Sequence, residues 1–169
     1  MRKHGVILAL VVVSVAIWVV SASAISSPQT FNLLEVETSY GDQPIGGFGF
    51  DRPPVGGDQF AFNHNLYKWA GTKKGARAGH LQVLGTFVTG FGSDFSRKAT
   101  ALIDAQAYLQ GGTVFAEGYG TFNSDGPSKF TLPVVGGTGT YANVRGYVNV
   151  RDLGDGNQGK SNLEFHLLP

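Results

Sequence analysis

The side chains that could move a proton in this chain are isolated carboxylates and imidazoles rather than a recognisable catalytic motif. Glu35 and Glu37 stand two residues apart, and His64 and Glu117 follow in separate segments. Carboxylates and imidazoles that are held in place act as general acids and bases. The sequence therefore predicts that any acid–base reaction would depend first on Glu35, supported by Glu37, His64 or Glu117.

Several other kinds of chemistry lack the residues they need. The chain has no cysteine, so it can form neither a disulfide nor a thiolate nucleophile or ligand. His64, His80 and His166 lie in separate segments without the paired spacing of a metal site. The serine motif of the α/β-hydrolases is missing as well. We therefore predict no metal site and no cofactor.

Two glycine-rich segments match nucleotide-binding patterns in their letters only. Residues 154–161 read as a phosphate loop, and residues 137–142 read as a dinucleotide fingerprint. Both motifs must open a helix behind a strand, so that the helix N-terminus faces the phosphates. Because a strand is predicted after each segment, we interpret both as tight turns, in which glycine supplies a positive φ.

The elements that must position the acid–base residues are strands. Apolar and polar residues alternate with period two, and no long stretch has helical spacing, although residues 99–109 have helix-forming composition. This pattern predicts an all-β fold, a single eight-stranded antiparallel β-barrel, whose closure removes exposed strand edges. A β-sandwich is the alternative. A turn is expected at 70–75, and Gly85 is expected to break the third strand. The predicted strands are 30–38, 59–67, 76–89, 98–109, 113–122, 128–135, 141–151 and 161–168.

The alternation also divides the strands into an aromatic-polar face and a small apolar face. Asp104 lies on the aromatic-polar face of the fourth strand, Glu117 and Tyr119 on that of the fifth, and Tyr147 on that of the seventh. If this face lines the lumen, the barrel holds a ligand with polar and aromatic groups. If it points outward, it is a solvated surface. The alternation leaves both arrangements open.

The first 24 residues have the three parts of an export signal. Arg2 and Lys3 form a basic start, residues 6–20 are apolar or small, and Ala22-Ser23-Ala24 is a cleavage pattern. The apolar run is shorter than the ~20 residues of a membrane-spanning helix, so we predict cleavage rather than a retained anchor. The expected organisation is a signal peptide in 1–24 and one secreted barrel domain in 25–169. A net charge of +1 with mixed signs indicates no nucleic-acid partner.

Residues 133–147 carry the most specific pattern in the chain. They read Pro-Val-Val-Gly-Gly-Thr-Gly-Thr-Tyr-Ala-Asn-Val-Arg-Gly-Tyr, which resembles the hallmark turn and strand of dirigent proteins. From Phe31 to Leu168, the order of segments resembles the allene oxide cyclase-like barrel superfamily, which includes the dirigents. The resemblance implies an eight-stranded barrel with an aromatic-lined cavity, assembled as a homodimer or homotrimer. It also implies an aromatic or lipid-derived small-molecule ligand and, in a plant, an apoplastic location.

Site residues can be carried over from the resemblance position by position. The cyclase glutamate and proline fall on Glu35 and Pro44, whereas other cyclase site positions hold Glu37, Gln43, His64 and Gln82. These departures argue against allene oxide cyclase activity itself. The dirigent pattern keeps a cavity arginine as Arg145 and a strand-one acid as Glu35 or Glu37. An arginine and a carboxylate that face one cavity could polarise a phenol or protonate a quinone methide.

Three functional hypotheses follow from the resemblance and the residues. The first is a secreted dirigent-like barrel that binds a phenoxy radical or quinone methide, made by an oxidase, and imposes stereoselective coupling or cyclisation by positioning. The second is a cyclase or isomerase with its own acid–base residues. The third is a binding or structural barrel without catalysis, so enzymatic activity is left open. The predicted catalytic residues are Glu35 and Arg145, and the predicted substrate-binding residues are Glu37, His64, Gln82, Asp104, Glu117, Tyr119 and Tyr147.

Overall fold

The computed structural model describes residues 24–38, 43–45, 52–92, 98–123, 127–154 and 159–169. Apart from Ala24, the predicted signal peptide therefore lies outside the described residues. Among those residues, no helix has the length and apolar character needed to cross a membrane. The same residues contain no group of three or more acidic or histidine side chains that could hold a metal ion.

Nine strands and one short 3₁₀ turn lie within the described residues. All eight predicted strands are present, which confirms the all-β fold class. The segment with helix-forming composition is strand β5. The strands are β1 Gln29–Val36, β2 Gln43–Ile45, β3 Gln59–Ala70, β4 Lys73–Thr89, β5 Ala99–Leu109, β6 Gly112–Phe122, β7 Lys129–Gly137, β8 Arg145–Asp152 and β9 Lys160–Leu168.

The strands form a closed antiparallel barrel. From β3 to β9 each strand pairs with the next along the chain, and β1 pairs with both β9 and β3 to complete the ring. Short β2 continues along the same edge of β3 beyond β1, so that it adds no strand to the circumference. The predicted eight-stranded barrel is thus confirmed, and the sandwich alternative is excluded.

One end of the barrel, here called the closed end, is sealed by short turns and apolar side chains. Residues 71–72 join β3 to β4, and residues 110–111 join β5 to β6. Ile25 is buried in this end, and its N–H donates to the Thr140 carbonyl over 3.0 Å. Burial raises the pKa of the nearby Tyr141 hydroxyl above its ordinary value. The opposite end, here called the open end, receives the longer connections.

The turn between β7 and β8, residues 138–144, belongs to the dirigent-like pattern and is here called the hallmark turn. It packs into the closed end of the barrel. Gly139 has φ +59°, and a Cβ there would collide with the carbonyl oxygen of Gly111. The Thr140 N–H donates to that same oxygen over 2.8 Å, and the Thr138 N–H donates to the Thr113 carbonyl over 2.8 Å. The turn extends further than predicted, so that β8 begins at Arg145 instead of residue 141. Gly139 therefore allows two turns to pack backbone against backbone.

The small apolar face lines the lumen in most strands. Alanines and valines of β5, β6 and β8 point inward, whereas the aromatic-polar faces of these strands point to solvent. Strands β1 and β3 are exceptions. Glu35 of β1 and Phe60, Phe62 and His64 of β3 face the lumen, as does Glu37 just after β1. An eight-stranded barrel is only wide enough for side chains or one small ligand, so small residues on many strands leave space that larger ones would fill.

Candidate functional site

A cavity of about 680 Å³ occupies the lumen and reaches toward the open end. Its apolar lining comes from seven of the barrel strands, β3 to β9, and its polar lining comes mainly from β1, β3 and the β8–β9 region. The lining residues are Glu35, Glu37, Phe60, Phe62, His64, Leu81, Val83, Ile103, Ala105, Ala107, Val114, Ala116, Phe122, Pro127, Phe130, Leu132, Val148, Val150, Asp152, Gly154, Gly159, Lys160, Ser161, Leu163 and Phe165.

Phenylalanine rings form much of the cavity wall. The Phe60 and Phe122 rings meet edge to face with centroids 6.2 Å apart, and Phe122 meets Phe130 in the same way at 5.4 Å. The Phe60 ring lies against Gly85, where any Cβ would overlap it. Strand β4 runs through Gly85 without ending, so the predicted break there is wrong. Glycine at this position makes room for an aromatic wall.

A carboxylate and an imidazole are paired in this apolar wall. Glu35 Oε1 lies 2.8 Å from His64 Nδ1, and the two residues are only 6% and 8% exposed. The pairing of β1 with β3 sets Glu35 opposite Leu66, two residues from His64 on the same inward face. The His64 ring also stacks on Phe62, with centroids 4.3 Å apart and an angle of 19°. Both partners are therefore held in one orientation.

This pair has the geometry of a proton-transfer site. When Glu35 is ionised, its carboxylate accepts a hydrogen bond from Nδ1–H of His64, and Nε2 is then the basic nitrogen of the ring. Few buried ion pairs stabilise a fold more than apolar residues of equal volume would. A pair retained in a phenylalanine-lined cavity is thus a candidate functional site rather than a packing device.

Further polar groups lie where the cavity meets the open end. Asp152 accepts hydrogen bonds from the Ser128 N–H over 2.9 Å and from the Ser161 hydroxyl over 3.0 Å, so it ties β7, β8 and β9 together. The backbone of Glu37 is held in place because its N–H donates to the Gly159 carbonyl over 2.7 Å. Lys160 joins these groups in the lining. The rim therefore offers charges of both signs to a ligand.

The structure brings three of the nine predicted site residues together: Glu35, Glu37 and His64 line the cavity. The other six do not line it, and a role for them in substrate binding stays a prediction. The small apolar face of their strands lines the lumen, so the polar face of the same strands points to solvent. The six residues outside the cavity are Gln82, Asp104, Glu117, Tyr119, Arg145 and Tyr147.

Arg145 illustrates this placement outside the cavity. It lies at the first position of β8, at the closed end, and its Nη1 donates to the Val144 carbonyl over 2.9 Å. On β8 the inward phase belongs to Val148 and Val150, so the odd-numbered side chains face outward. Tyr119, on β6, is similarly 64% exposed. Gln43 and Pro44 belong to β2, whose side chains lie outside the described part of the chain.

Sequence reasoning missed most of the cavity wall and rim. Phe60, Phe62 and Phe165 were not predicted to line the cavity. Phe60 and Phe62 lie on the same face of β3 as His64, and Phe165 lies on the same face of β9 as Leu163. Asp152 and Lys160 fall between the predicted strands 141–151 and 161–168, so alternation assigned neither of them to a face. The available signal was alternation counted back from Leu163, which puts Ser161 on the inward face of β9.

The barrel is similar to known proteins in its structure but not in its sequence. Neither a family profile nor a curated protein sequence matches the chain. A pyocyanin demethylase superposes with a TM-score of 0.59 at 22% identity, covering 83% of this chain and 100% of that one. A pterocarpan synthase dirigent protein gives 0.59 at 15% identity, covering 83% and 87%. An exo-specific intermolecular Diels-Alderase gives 0.58 at 14% identity, covering 83% and 98%.

These likenesses concern the fold. They confirm the predicted resemblance to dirigent-type barrels at the level of architecture. The three proteins carry out different reactions on one barrel, so the fold alone does not assign chemistry. The assignment has to come from the cavity and its paired acid and base.

Proposed function

We propose that this barrel binds one small, largely apolar molecule in its lumen and directs a cyclisation or isomerisation of that molecule. The observation that supports the proposal is the Glu35–His64 pair, 2.8 Å apart in the wall of a cavity of about 680 Å³ that is otherwise mainly apolar. The volume suits a small molecule of up to drug size.

Two physical effects would carry the reaction. The phenylalanine walls hold the ligand in one folded conformation, and such positioning supplies several kcal/mol of barrier reduction. Exclusion of water strengthens each electrostatic contact that the ligand makes inside the lumen. Both effects need a rigid wall, and the Phe60, Phe122 and Phe130 rings are locked edge to face.

His64 is the proton-transfer group in this proposal, and Glu35 is its partner. With Nδ1–H donated to Glu35, Nε2 accepts a proton from one ligand atom and returns it to another, so that no proton is gained or lost overall. Glu35 stabilises the imidazolium that forms between the two steps. Glu37 and Lys160, at the open end, are proposed to contact the polar part of the ligand.

A dirigent-like steering role is the second candidate. It is favoured by the similarity to a pterocarpan synthase dirigent protein and by the aromatic cavity wall. In this case an oxidase supplies the reactive molecule, the walls impose the stereochemistry, and the Glu35–His64 pair only orients a phenol. A purely structural barrel, by contrast, predicts a lumen filled by side chains, which the cavity argues against.

Product stereochemistry with and without an oxidase distinguishes these roles. The protein would be incubated with coniferyl alcohol and a one-electron oxidase, and separately with an unsaturated epoxide and a quinone methide without oxidase. Chiral chromatography measures the products. Under our proposal the oxidase-free reaction is accelerated, and Glu35→Gln lowers its rate by roughly a hundredfold to ten-thousandfold. Glu117→Gln, on the outer surface, is the matched control and leaves the rate unchanged.

The other outcomes assign the protein elsewhere. If only the oxidase reaction becomes stereoselective and Glu35→Gln leaves that selectivity intact, the steering role replaces the proposal. Racemic and unaccelerated products in both series, combined with tight ligand binding, would leave a binding barrel without catalysis.

Export and assembly are also carried forward as proposals. We infer that cleavage after Ala24 releases the barrel domain outside the cell, which N-terminal sequencing of protein recovered from a culture medium tests. We infer a homodimer or homotrimer from the exposed apolar side chains Leu84, Leu102 and Tyr119 on adjoining strands. Sedimentation equilibrium tests the assembly, and a monomer at micromolar concentration would contradict it.

A further inference from the structure

The β3–β4 hairpin extends beyond the closed end of the barrel. Strand β1 pairs with β3 only as far as Lys68, and β5 pairs with β4 only from Gly79 onward. Between these points Trp69 pairs with Lys74, and Ala70 pairs with Lys73. Within the described residues, neither outer edge of this segment pairs with another strand. Residues 69–78 therefore form a two-stranded projection. Together with Tyr67 and Lys68, which still pair with β1, they are here called the basic ribbon.

Positive charge is concentrated in the basic ribbon. It holds four of the thirteen Lys and Arg residues of the chain, namely Lys68, Lys73, Lys74 and Arg77, and none of the twelve Asp and Glu residues. The surrounding sequence from 59 to 93 has no carboxylate at all. Because the whole chain carries a net charge of only +1, the ribbon is a local cationic site on a protein that is otherwise slightly acidic.

Aromatic rings share one face of the ribbon with two of these cations. Tyr67 lies opposite Arg77, and Trp69 lies opposite Lys74. The Lys74 ammonium stands 5.2 Å above the centre of the Tyr67 ring. Arg77 Nη2 donates to Asn65 Oδ1 over 2.9 Å, which holds the guanidinium against β3. The face thus has a flat aromatic surface edged by fixed positive charge.

We propose that the basic ribbon binds an acidic polysaccharide. The open side of the Trp69 indole would stack on the C–H face of a sugar ring. Lys74 and Arg77 on the same face, joined by Lys73 beside the turn, would pair with carboxylate or sulfate groups of the polymer. Dense Lys and Arg patches of this kind bind heparin-like polyanions. Such polymers are outside the cell, where the export proposal places the protein.

A bilayer and a single-stranded nucleic acid fit the ribbon less well. The tip, which would enter a bilayer first, is Gly71-Thr72, and Trp69 lies along the strand with 37% of its surface exposed. Interfacial anchoring needs large apolar side chains at the leading edge. Single strands bind by stacking successive bases on a row of rings. Here Lys74 already covers Tyr67, which leaves Trp69 as the open ring of this face.

A plainer role for the lysines is protection of an open strand edge against pairing with other chains. That role needs charge alone. It predicts no saturable binding and no contribution from Trp69, so it is distinguishable from the proposal by experiment.

Binding of the full barrel to immobilised polygalacturonate and heparin tests the proposal, with neutral dextran as the reference polymer. We expect saturable binding to one or both polyanions, weakening roughly tenfold or more between about 50 and 200 mM salt. K73Q/K74Q should weaken binding about tenfold. The matched control K98Q/K129Q removes the same charge from the open end and should change binding less than about twofold.

Substitution of Trp69 separates the two roles, because protection of the strand edge does not depend on the indole. W69A should weaken binding about fivefold and leave the salt dependence unchanged, and W69F should restore most of the loss. Thermal unfolding of each variant confirms that the barrel is intact. Equal losses in K73Q/K74Q and K98Q/K129Q, an unchanged W69A, or no binding at low salt would overturn the proposal. So would tighter binding to phosphatidylserine vesicles or to a thymidine oligonucleotide.

Discussion

The two ends of the barrel are formed by the same strands but differ in what fills them. At the closed end, Ile25, Leu167 and Val144 are buried, and the hallmark turn packs on the turn at 110–111. Toward the open end, the same strands surround a cavity that contains the Glu35–His64 pair. The most recognisable motif in the sequence therefore belongs to the sealed end, and the candidate chemistry belongs to the other.

This difference explains why the resemblance indicates fold more firmly than function. Within residues 133–147, Gly139 is needed because two turns approach backbone to backbone, which is a requirement of the closed end rather than of a ligand. The residues that line the cavity are under no such constraint. A pattern set by the closed end therefore indicates the fold without indicating the reaction.

The largest effect expected from this difference compares two leucines on β9. Leu167 is buried at the closed end, and Leu163 is buried in the cavity wall. Leu167→Ala should lower the free energy of unfolding by about 4 kcal/mol, and Leu163→Ala by about 2 kcal/mol, because fewer neighbours surround a side chain that faces a cavity. Urea unfolding measures both. Equal losses would mean that the closed end is packed no better than the lumen.

Two glycines with similar positive φ give the next comparison. Gly139 has φ +59° and lies against Gly111, whereas Gly71 has φ +66° and a Cβ added to it would have no other atom within 4 Å. Gly71→Ala should cost about 1 kcal/mol of backbone strain. Gly139→Ala should cost about 3 kcal/mol, because a steric collision is added to the strain. Thermal or urea unfolding measures the loss of stability in both variants. Similar losses would mean that close packing of the hallmark turn does not stabilise the closed end.

Enlarging a side chain should have opposite consequences in the two regions. Val144→Leu adds volume to the filled end and should cost about 2 kcal/mol. Ala105→Leu adds volume to the cavity and should change stability by less than about 1 kcal/mol, while weakening binding of an apolar fluorescent probe about tenfold. Fluorescence titration and urea unfolding give the two readouts. Unaltered probe binding in Ala105→Leu would indicate that the probe binds outside the lumen.

The smallest effect concerns a brace at the open end. Asp58 binds the Arg52 guanidinium through distances of 2.7 and 3.0 Å and accepts the Val55 N–H over 2.8 Å. Arg52, followed by the Val55 N–H, holds the pKa of Asp58 below its ordinary value of 3.8. The stabilisation is therefore present above that value and is lost as the pH falls through the lower folded-state pKa.

Asp58→Asn tests this pH dependence. The variant should melt slightly below the parent protein at pH ~7, and the difference should shrink once the pH falls below the ordinary carboxyl pKa of ~4. Differential scanning calorimetry across that range measures it. A difference that stays constant with pH would show that the carboxylate charge is not what stabilises the loop.

Alternation was sufficient to predict most of the fold. It placed β6 at 113–122, against Gly112–Phe122, because inward and outward environments differ strongly along a half-buried strand. It predicted a turn at 70–75, whereas only residues 71–72 form the turn. The reason is Gly75, a residue type that is common in turns but here lies in β4. The basic ribbon was hidden by that error. β2 was also missed, since three residues give no period.

The site was predicted only in part, because alternation separates two faces without showing which one is inside. Glu35 and Glu117 each stand on an aromatic-polar face, yet Glu35 lines the cavity and Glu117 faces solvent. The Glu35–His64 contact depends on the pairing of β1 with β3, which brings together residues from the two strands that close the ring. Neither the register nor the closure is visible in local sequence.

That closure has a consequence for how the protein acquires its site. Strand β1 is held by β9 along pairs from Gln29 with Leu167 to Val36 with Lys160, which join residues from opposite parts of the chain. Contacts of such high sequence separation are slow to form, because the intervening chain must first lose its freedom. The adjacent hairpins from β3 to β9 can assemble before β1 is added. In refolding, strand content should therefore recover before ligand binding, and stopped-flow circular dichroism compared with probe fluorescence would reveal the delay.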